Sequence, residues 1–175
     1  LVHRLKDENI KLIVTGSHKD DDVGKYYNFL NDLIHDYNLQ DQVLFGESKI
    51  KHHSWVGYRG SKIYSLSDAY AHARACTYFS TYEGFGNAFL ESVVAKKPIF
   101  VNNYKPVYMP DIGSKGFKVV MLEKNKLTDE AVNEMKEIIY NKKLCKEIGE
   151  YNFEIGKKYF SYDVLRDKLE ELLEF

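Results

Sequence analysis

The chain has few cysteines and no long apolar run. Its 175 residues include two cysteines, Cys76 and Cys145. Cys76 falls in an apolar segment typical of a buried strand, which favours a structural thiol over a disulfide or a metal ligand. No apolar run approaches the roughly 20 residues that a membrane-spanning helix needs, and no signal peptide is visible. We therefore expect a cytoplasmic protein without a transmembrane segment.

An excess of charge of either sign is also missing. The sequence holds 25 lysines and arginines against 26 aspartates and glutamates, for a formal net charge of −1. Such a balance provides no electrostatic reason to expect nucleic acid or an anionic membrane surface as a partner. We expect no nucleic-acid partner.

A convincing metal-binding pattern is absent as well. His52 and His53 are adjacent in a polar and aromatic insertion over residues 47–60, without a clear third ligand. The three aspartates at 20–22 lack the rest of a calcium-binding loop. Solvated or packed side chains are the better interpretation of both clusters, and we expect no metal.

Apolar segments with strand-like and helix-like spacing alternate along the chain. The strand-like segments lie at 10–15, 42–46, 75–80, 98–101 and 118–122. Helices are predicted over 25–39, from a cap at Ser67, after Gly86, and three times between Thr128 and the end. The alternation predicts an α/β fold with a Rossmann-like, doubly wound parallel sheet. We expect a single domain over residues 1–175, in which about 128–175 form a C-terminal helical tail.

The most informative stretch is 82–98, where two carboxylates bracket a glycine turn and the start of an apolar helix. A strand before it and another after it predict a βαβ unit. The turn then lies at the carboxyl end of a strand, where ligands collect in open α/β sheets. Gly84 and Gly86 permit a tight turn and close approach to a ligand. The free N–H groups of Asn87 and Ala88 at the helix start favour an anion such as a phosphate.

The two carboxylates are suited to a ligand that carries hydroxyl groups. Glu91 follows Asn87 by four residues, so the two share a helix face. A carboxylate among apolar neighbours should face a cleft, and a ribose diol fits it. Glu83, before the turn, would accept hydrogen bonds from a sugar ring. Glu91 could instead interact with the helix dipole, although its position past the first turn weakens that interpretation.

Glu-Gly-Phe-Gly-Asn-Ala-Phe-Leu-Glu at 83–91 resembles the signature of family 4 retaining glycosyltransferases of the GT-B fold. The resemblance extends to the strands at 13–16 and 42–46, the helix from Ser67 and the closing helices after 158. It concerns the C-terminal, nucleotide-sugar-binding half and implies an N-terminal acceptor domain that residues 1–175 do not contain. Tyr-Glu-Gly-Phe-Gly-Asn at 82–87, together with Asn-Asn-Tyr at 102–104, further resembles a subgroup related to sucrose-phosphate and mannosyl-glycerate-type synthases.

The resemblance implies a role for each residue of the signature. Glu83 would contact the hydroxyls of the donor sugar, as the candidate catalytic residue, and Glu91 would hold the ribose. The remaining donor-binding positions that it implies are Gly16, Phe85, Gly86, Asn87 and Ala88. The family needs no metal or other cofactor, because basic side chains and helix-terminal amides neutralise the leaving diphosphate. Those basic residues usually lie upstream of the position of Leu1, so catalysis by residues 1–175 alone is not expected.

Three functions remain open at this point. The first is a retaining hexosyltransferase that uses a nucleotide-diphosphate sugar and transfers the hexosyl group to an unknown acceptor. The second is an epimerase or phosphorylase of the same fold, and the third is a non-catalytic, nucleotide-sugar-binding regulatory module.

Two departures from the family could shape the choice of donor or acceptor. They are the segment 102–111, where the family commonly has small residues and a glycine pair, and the long insertion at 47–60.

Overall fold

The computed structural model describes residues 1–15, 25–57 and 60–173. Within these ranges the chain forms two compact units, Leu1–Ala71 and His72–Phe175. The single domain that the sequence predicts over 1–175 stays a prediction. Among the described residues, no helix is both long enough and apolar enough to cross a membrane.

The described part of the first unit is built from short strands and three helices. In chain order its described elements are α1 Val2–Leu5, β1 Leu12–Val14, α2 Lys25–Asp36, β2 Val43–Phe45, β3 Ile50–Lys51, β4 Trp55–Val56, β5 Lys62–Ser65 and α3 Leu66–His72. β1 and β2 are parallel, with Ile13 opposite Leu44. β5 pairs in parallel with β3 and antiparallel with β4. Part of the insertion at 47–60 is therefore sheet, which two-residue strands cannot reveal through periodicity.

The helix α3 begins two residues earlier than predicted. The Asp68 N–H donates to Ser65 Oγ at 3.0 Å, and the Ser65 N–H donates to Asp68 Oδ2 at 2.8 Å. This reciprocal pair is a capping box, in which the cap is Ser65. The predicted cap at Ser67 is wrong, because Ser67 lies inside the helix.

The second unit holds the signature stretch. Its described elements are β6 Cys76–Tyr78, β7 Tyr82–Glu83, α4 Asn87–Val94, β8 Ile99–Asn102, β9 Lys105–Pro106, a π-helical turn Tyr108–Ile112, a 3-10 turn Gly113–Lys115, β10 Val120–Leu122, α5 Asp129–Tyr140, α6 Lys142–Phe160 and α7 Tyr162–Leu173. β8 is central, with β6 and β10 parallel on either side. All four residues of β8 are buried, as a parallel sheet with covered faces requires.

The core of this unit lies between α4, β8 and the segment that follows β8. Its buried members are Phe89, Val93, Ile99, Val101, Tyr104, Tyr108 and Ile112. Aromatic rings supply much of this core: Phe89 meets Phe117 edge-on at 5.1 Å and Tyr108 at 5.9 Å. α4 is thus held by its apolar side, and its amino end is left at the edge of the sheet.

The long helix α6 supports α4 through two glycines on one side. A Cβ on Gly149 would collide with the backbone carbonyl of Lys96, and a Cβ on Gly156 would lie 2.6 Å from Val93 Cγ1. The fully buried Asn152 lies between them and pairs with both backbone groups of Lys118 at 2.8 Å. α6 therefore fixes the end of α4 and the chain that leads into β10.

The arrangement confirms the predicted α/β class, with parallel strands connected through helices. The three helices predicted after residue 128 are α5, α6 and α7, and side-chain oxygens cap the first two. Thr128 Oγ1 accepts from the Ala131 N–H at 3.2 Å, and Asn141 Oδ1 accepts from the Leu144 N–H at 3.0 Å.

Candidate functional site

The carboxyl ends of β6 and β8 place two loops side by side. β6 leads into the loop with the signature glycines, and β8 leads into the segment 102–106. A short parallel ladder joins them, with Tyr82 opposite Lys105 and Glu83 opposite Pro106. The Lys105 N–H also donates to the carbonyl of Thr81 at 3.0 Å. The two loops at the edge where ligands are expected therefore hold each other in place through backbone hydrogen bonds.

Glu83 ends the strand β7 and is held by two hydroxyl groups. Ser80 Oγ donates to Glu83 Oε1 at 2.7 Å, an ordinary length for a hydroxyl–oxygen hydrogen bond. The Tyr78 hydroxyl also hydrogen-bonds to Glu83. Burial, with Glu83 beside it, raises the pKa of Tyr78 far above its ordinary value. Tyr78 therefore keeps its proton and remains a donor to the carboxylate.

Gly86 lies between this carboxylate and the helix α4. Its φ is +104°, a left-handed conformation that side chains disfavour. A Cβ here would collide with the Tyr104 hydroxyl and would lie 3.3 Å from Tyr78 Cε1. A Cβ on Gly84, by contrast, would meet nothing within 4 Å. Of the two glycines, Gly86 is the one that the fold itself requires.

The amino end of α4 offers backbone donors next to Glu83. The helix begins at Asn87, and no side chain of the described residues caps it. Its first turn contains no acidic residue. The N–H groups of Asn87 and Ala88 belong to this first turn, where a helix leaves its donors without internal partners. The arrangement suits an anion, as the sequence predicts.

Glu91 lies one turn further along α4. It is exposed, as is Asn87, while Phe89, Ser92 and Val93 turn into the core. The predicted sharing of one helix side by Asn87 and Glu91 fits this burial pattern. The structure thus brings Glu83, Phe85, Gly86 and the start of α4 to one edge, with Glu91 beyond them.

Gly16 lies outside the described residues, so its place in the donor site stays a prediction; the aspartates at 20–22 lie outside them too. Across 1–15, 25–57 and 60–173, no group of three or more histidine, cysteine, aspartate or glutamate side chains could hold a metal ion. His52 and His53 are exposed. That the chemistry needs no metal stays a prediction.

Two further residues, one at the end of β8 and one shortly after it, were not predicted to be site residues from the sequence. Asn102 is 2% exposed; its amide donates to the Ser80 carbonyl at 2.8 Å and accepts from the Asn125 N–H at 2.7 Å. Tyr104 is fully buried, and its hydroxyl donates to the carbonyl of Phe85 at 3.0 Å. The available signal was the Asn-Asn-Tyr departure from the family pattern directly after a buried strand.

The comparison with known families decides what kind of protein carries this site. Residues 1–155 match the family described as glycosyl transferases group 1. The chain belongs to this family. Among curated proteins, the mannosylglucosylglycerate synthase of Thermotoga maritima is 35% identical to this chain over 120 residues. The match covers 62% of this chain and 26% of the synthase, so the chain spans about a quarter of that relative's length.

Solved structures agree with this family assignment in their fold. A glycosyltransferase from Rickettsia africae ESF-5 matches with a TM-score of 0.69 and 19% identity, covering 99% of this chain and 42% of that one. S. aureus TarM, in a complex that contains UDP, matches with a TM-score of 0.69 and 18% identity, covering 99% of this chain and 32% of its own. The predicted Rossmann-like half of a GT-B glycosyltransferase is confirmed.

Proposed function

We propose that this chain is the donor-binding part of a retaining glycosyltransferase that uses a nucleotide-diphosphate sugar. The observation that carries the proposal is the pairing of a fixed carboxylate, Glu83, with the amino end of α4 across one glycine turn. The first supplies acceptors for sugar hydroxyls, and the second supplies donors for a diphosphate. A group 1 glycosyltransferase needs both in one place if its donor is a sugar linked to a diphosphate.

The diphosphate is assigned to the start of α4. Gly86, Asn87 and Ala88 contribute the backbone donors, and the helix dipole adds a partial positive charge of about half a unit at this end. Phosphate binding at a helix amino end needs no cationic side chain in the first instance. The further basic groups that would neutralise the leaving diphosphate are assigned to the part of the protein beyond this chain, together with the acceptor domain.

The hexose is assigned to Glu83. A carboxylate offers about four lone-pair sites on its two oxygens. Ser80 occupies one site on Oε1, and Tyr78 occupies a second position on the group. Acceptor capacity is left for hydroxyls of the donor sugar, and the two fixed donors restrict the directions in which it points. A carboxylate held in this way would bind the sugar in one orientation.

The ribose is assigned to Glu91. From Asn87 to Glu91 the helix rises by about 6 Å, at 1.5 Å per residue. That rise suits a nucleotide whose diphosphate lies at the helix end and whose ribose lies alongside the next turn. The exposure of Glu91 leaves its side chain accessible to a ligand on that side.

The experiment uses the protein at its full natural length. Binding of UDP-, GDP- and ADP-sugars, and of the corresponding nucleoside diphosphates, is measured by calorimetry, with the Glu83→Gln and Glu91→Gln variants in parallel. We expect Glu91→Gln to weaken both kinds of ligand and Glu83→Gln to weaken the sugar-bearing ligands more. NMR of the transfer product establishes whether the anomeric configuration is retained and separates transfer from epimerisation and phosphorolysis. Absence of binding at millimolar concentrations for every nucleotide would refute the proposal.

A further inference from the structure

We propose that Tyr104 is a positioning residue of the donor site, which aims the Gly86 N–H at the donor by holding the carbonyl of Phe85 inward. The inference rests on the proposed function, because it assigns a role within the same site. It concerns the segment where the chain departs from the glycine pair that is common in the family.

The segment 102–106 supports the signature loop along its whole length. Four contacts join them, which are Asn102 Nδ2 to the Ser80 carbonyl at 2.8 Å, the Lys105 N–H to the Thr81 carbonyl at 3.0 Å, the ladder of β7 with β9, and the Tyr104 hydroxyl to the Phe85 carbonyl at 3.0 Å. The first three hold the beginning of the loop, up to Glu83. Tyr104 alone among these contacts reaches its far end, next to α4.

Tyr104 is itself rigidly held. It is fully buried, with the Tyr78 ring edge-on at 5.5 Å and the Tyr108 ring at 5.2 Å. Its N–H donates to the carbonyl of Asn102 at 2.7 Å. Because ring and backbone are both fixed, the hydroxyl can reach only one region of space. The Phe85 carbonyl occupies that region.

Because the peptide group is planar, the contact of Tyr104 with the Phe85 carbonyl also fixes the direction of the Gly86 N–H. The carbonyl of Phe85 and the N–H of Gly86 belong to one trans peptide and point in opposite directions. A carbonyl that points at Tyr104 therefore makes the Gly86 N–H point away from it. Among the described residues this N–H has no acceptor. It adds to the unpaired donors of the first turn of α4, whose first bond runs from the Phe89 N–H to the Gly86 carbonyl.

The fit between Tyr104 and Gly86 is mutual. The tyrosine hydroxyl lies too close to the place of a Cβ on Gly86 for both to fit, and Tyr104 Cζ is 3.0 Å from that place. The bare glycine allows the tyrosine to approach its backbone, and the tyrosine hydroxyl fixes the adjoining peptide group. Glycine at position 86 therefore serves both the packing of Tyr104 and the orientation of the N–H that faces the donor.

The test compares two hydroxyl deletions in the full-length protein. Tyr104→Phe removes the bond to Phe85 and leaves the ring. The matched control is Tyr108→Phe, because Tyr108 is equally buried and its hydroxyl makes no hydrogen bond to the described residues. We expect Tyr104→Phe to weaken nucleoside-diphosphate binding and raise the donor KM by about three- to tenfold, as for loss of one net hydrogen bond. The control should stay within about twofold.

A second measurement needs no ligand. In nitrogen-15 NMR spectra of the unliganded protein, Tyr104→Phe should shift the Gly86 amide resonance, and Tyr108→Phe should leave it in place. If the wild type binds no nucleotide, the proposed function and this inference both fail. If the wild type binds and Tyr104→Phe binds equally well, this inference alone is overturned. A lowered melting temperature with unchanged donor affinity also overturns it, since Tyr104 would then serve only stability.

Discussion

Replacing Ser80 with alanine tests whether Glu83 is aimed at the sugar. The change deletes the donor that lies 2.7 Å from Glu83 Oε1 and removes few other atoms. A hydrogen bond to a charged group contributes about 1.5–3 kcal/mol. Because Ser80 and Glu83 are only partly buried and Tyr78 remains as a second donor, we take a value below this range and expect about 1 kcal/mol. That free energy corresponds to a roughly fivefold weaker affinity.

The expected loss is confined to ligands that carry the hexose. Calorimetry on the full-length protein would compare a nucleotide sugar with the same nucleoside diphosphate, in the wild type, Ser80→Ala and Tyr78→Phe. The sugar-bearing ligand should weaken about fivefold in Ser80→Ala, and the nucleoside diphosphate should not change. Equal weakening of both would show that Ser80 supports the whole loop. No weakening of either would show that the Glu83 carboxylate needs no fixed orientation, and the assignment of the hexose to it would lose its physical basis.

Three further outcomes are expected. Gly149→Ala should lower the melting temperature more than Gly156→Ala does, with each kcal/mol of lost unfolding free energy lowering it by about 2–4 °C. Both substitutions gain the same helix propensity, but only the Cβ added at position 149 collides with the Lys96 backbone. Burial, followed by the electrostatic effect of Glu83, raises the pKa of the Tyr104 hydroxyl to about 12. The stabilisation of the fold by this protonated hydroxyl is complete below the unfolded pKa of about 10 and is lost as the pH rises through 12. In urea unfolding, the free energy of unfolding should therefore fall less between neutral pH and pH 11 in Tyr104→Phe than in the wild type. Asn102→Ala leaves two backbone partners unsatisfied and should cost about 2–5 kcal/mol in the same assay; a loss under 1 kcal/mol would contradict the bonds to Ser80 and Asn125.

The order of elements was readable from the sequence because most helices and strands carry their own signals. The helix predicted over 25–39 is Lys25–Asp36, and the strand predicted at 98–101 is Ile99–Asn102. Apolar periodicity decides these, since burial acts on each residue locally. The strands β3 and β4 are two residues long, too short for any period. They exist because β5 lies between them, and that pairing depends on tertiary structure.

Caps illustrate a different limit. Ser65 and Ser67 both precede or enter α3, and both are good cap residues. Only Ser65 stands three residues before Asp68, and that spacing lets each side chain reach the other's N–H. The spacing is present in the sequence, and it distinguishes the two serines where residue type alone does not.

The site divides in the same way. The Glu83–Glu91 signature is local, and its helix, its turn and its position at the end of a strand follow from neighbouring residues. The contact of Tyr104 with Phe85 joins positions 19 residues apart. It exists because β6 and β8 are neighbours in the sheet and their following loops run together. A sequence can point to Asn-Asn-Tyr as unusual, but only the register of the sheet shows which carbonyl the tyrosine reaches.

Gly86 shows why a glycine in a signature does not by itself reveal its cause. Its left-handed φ of +104° would strain any side chain, whether or not a ligand binds. The Tyr104 hydroxyl also lies too close to its Cβ position for a side chain to fit there, which is a second reason for glycine on the core side. Close approach of a diphosphate would exclude a side chain from the open side. Because the first two reasons are properties of the fold, loss of activity in a Gly86 variant would not show ligand contact. The hydroxyl deletion at Tyr104 leaves Gly86 in place, and so separates the direction of the peptide group from the space that the glycine provides.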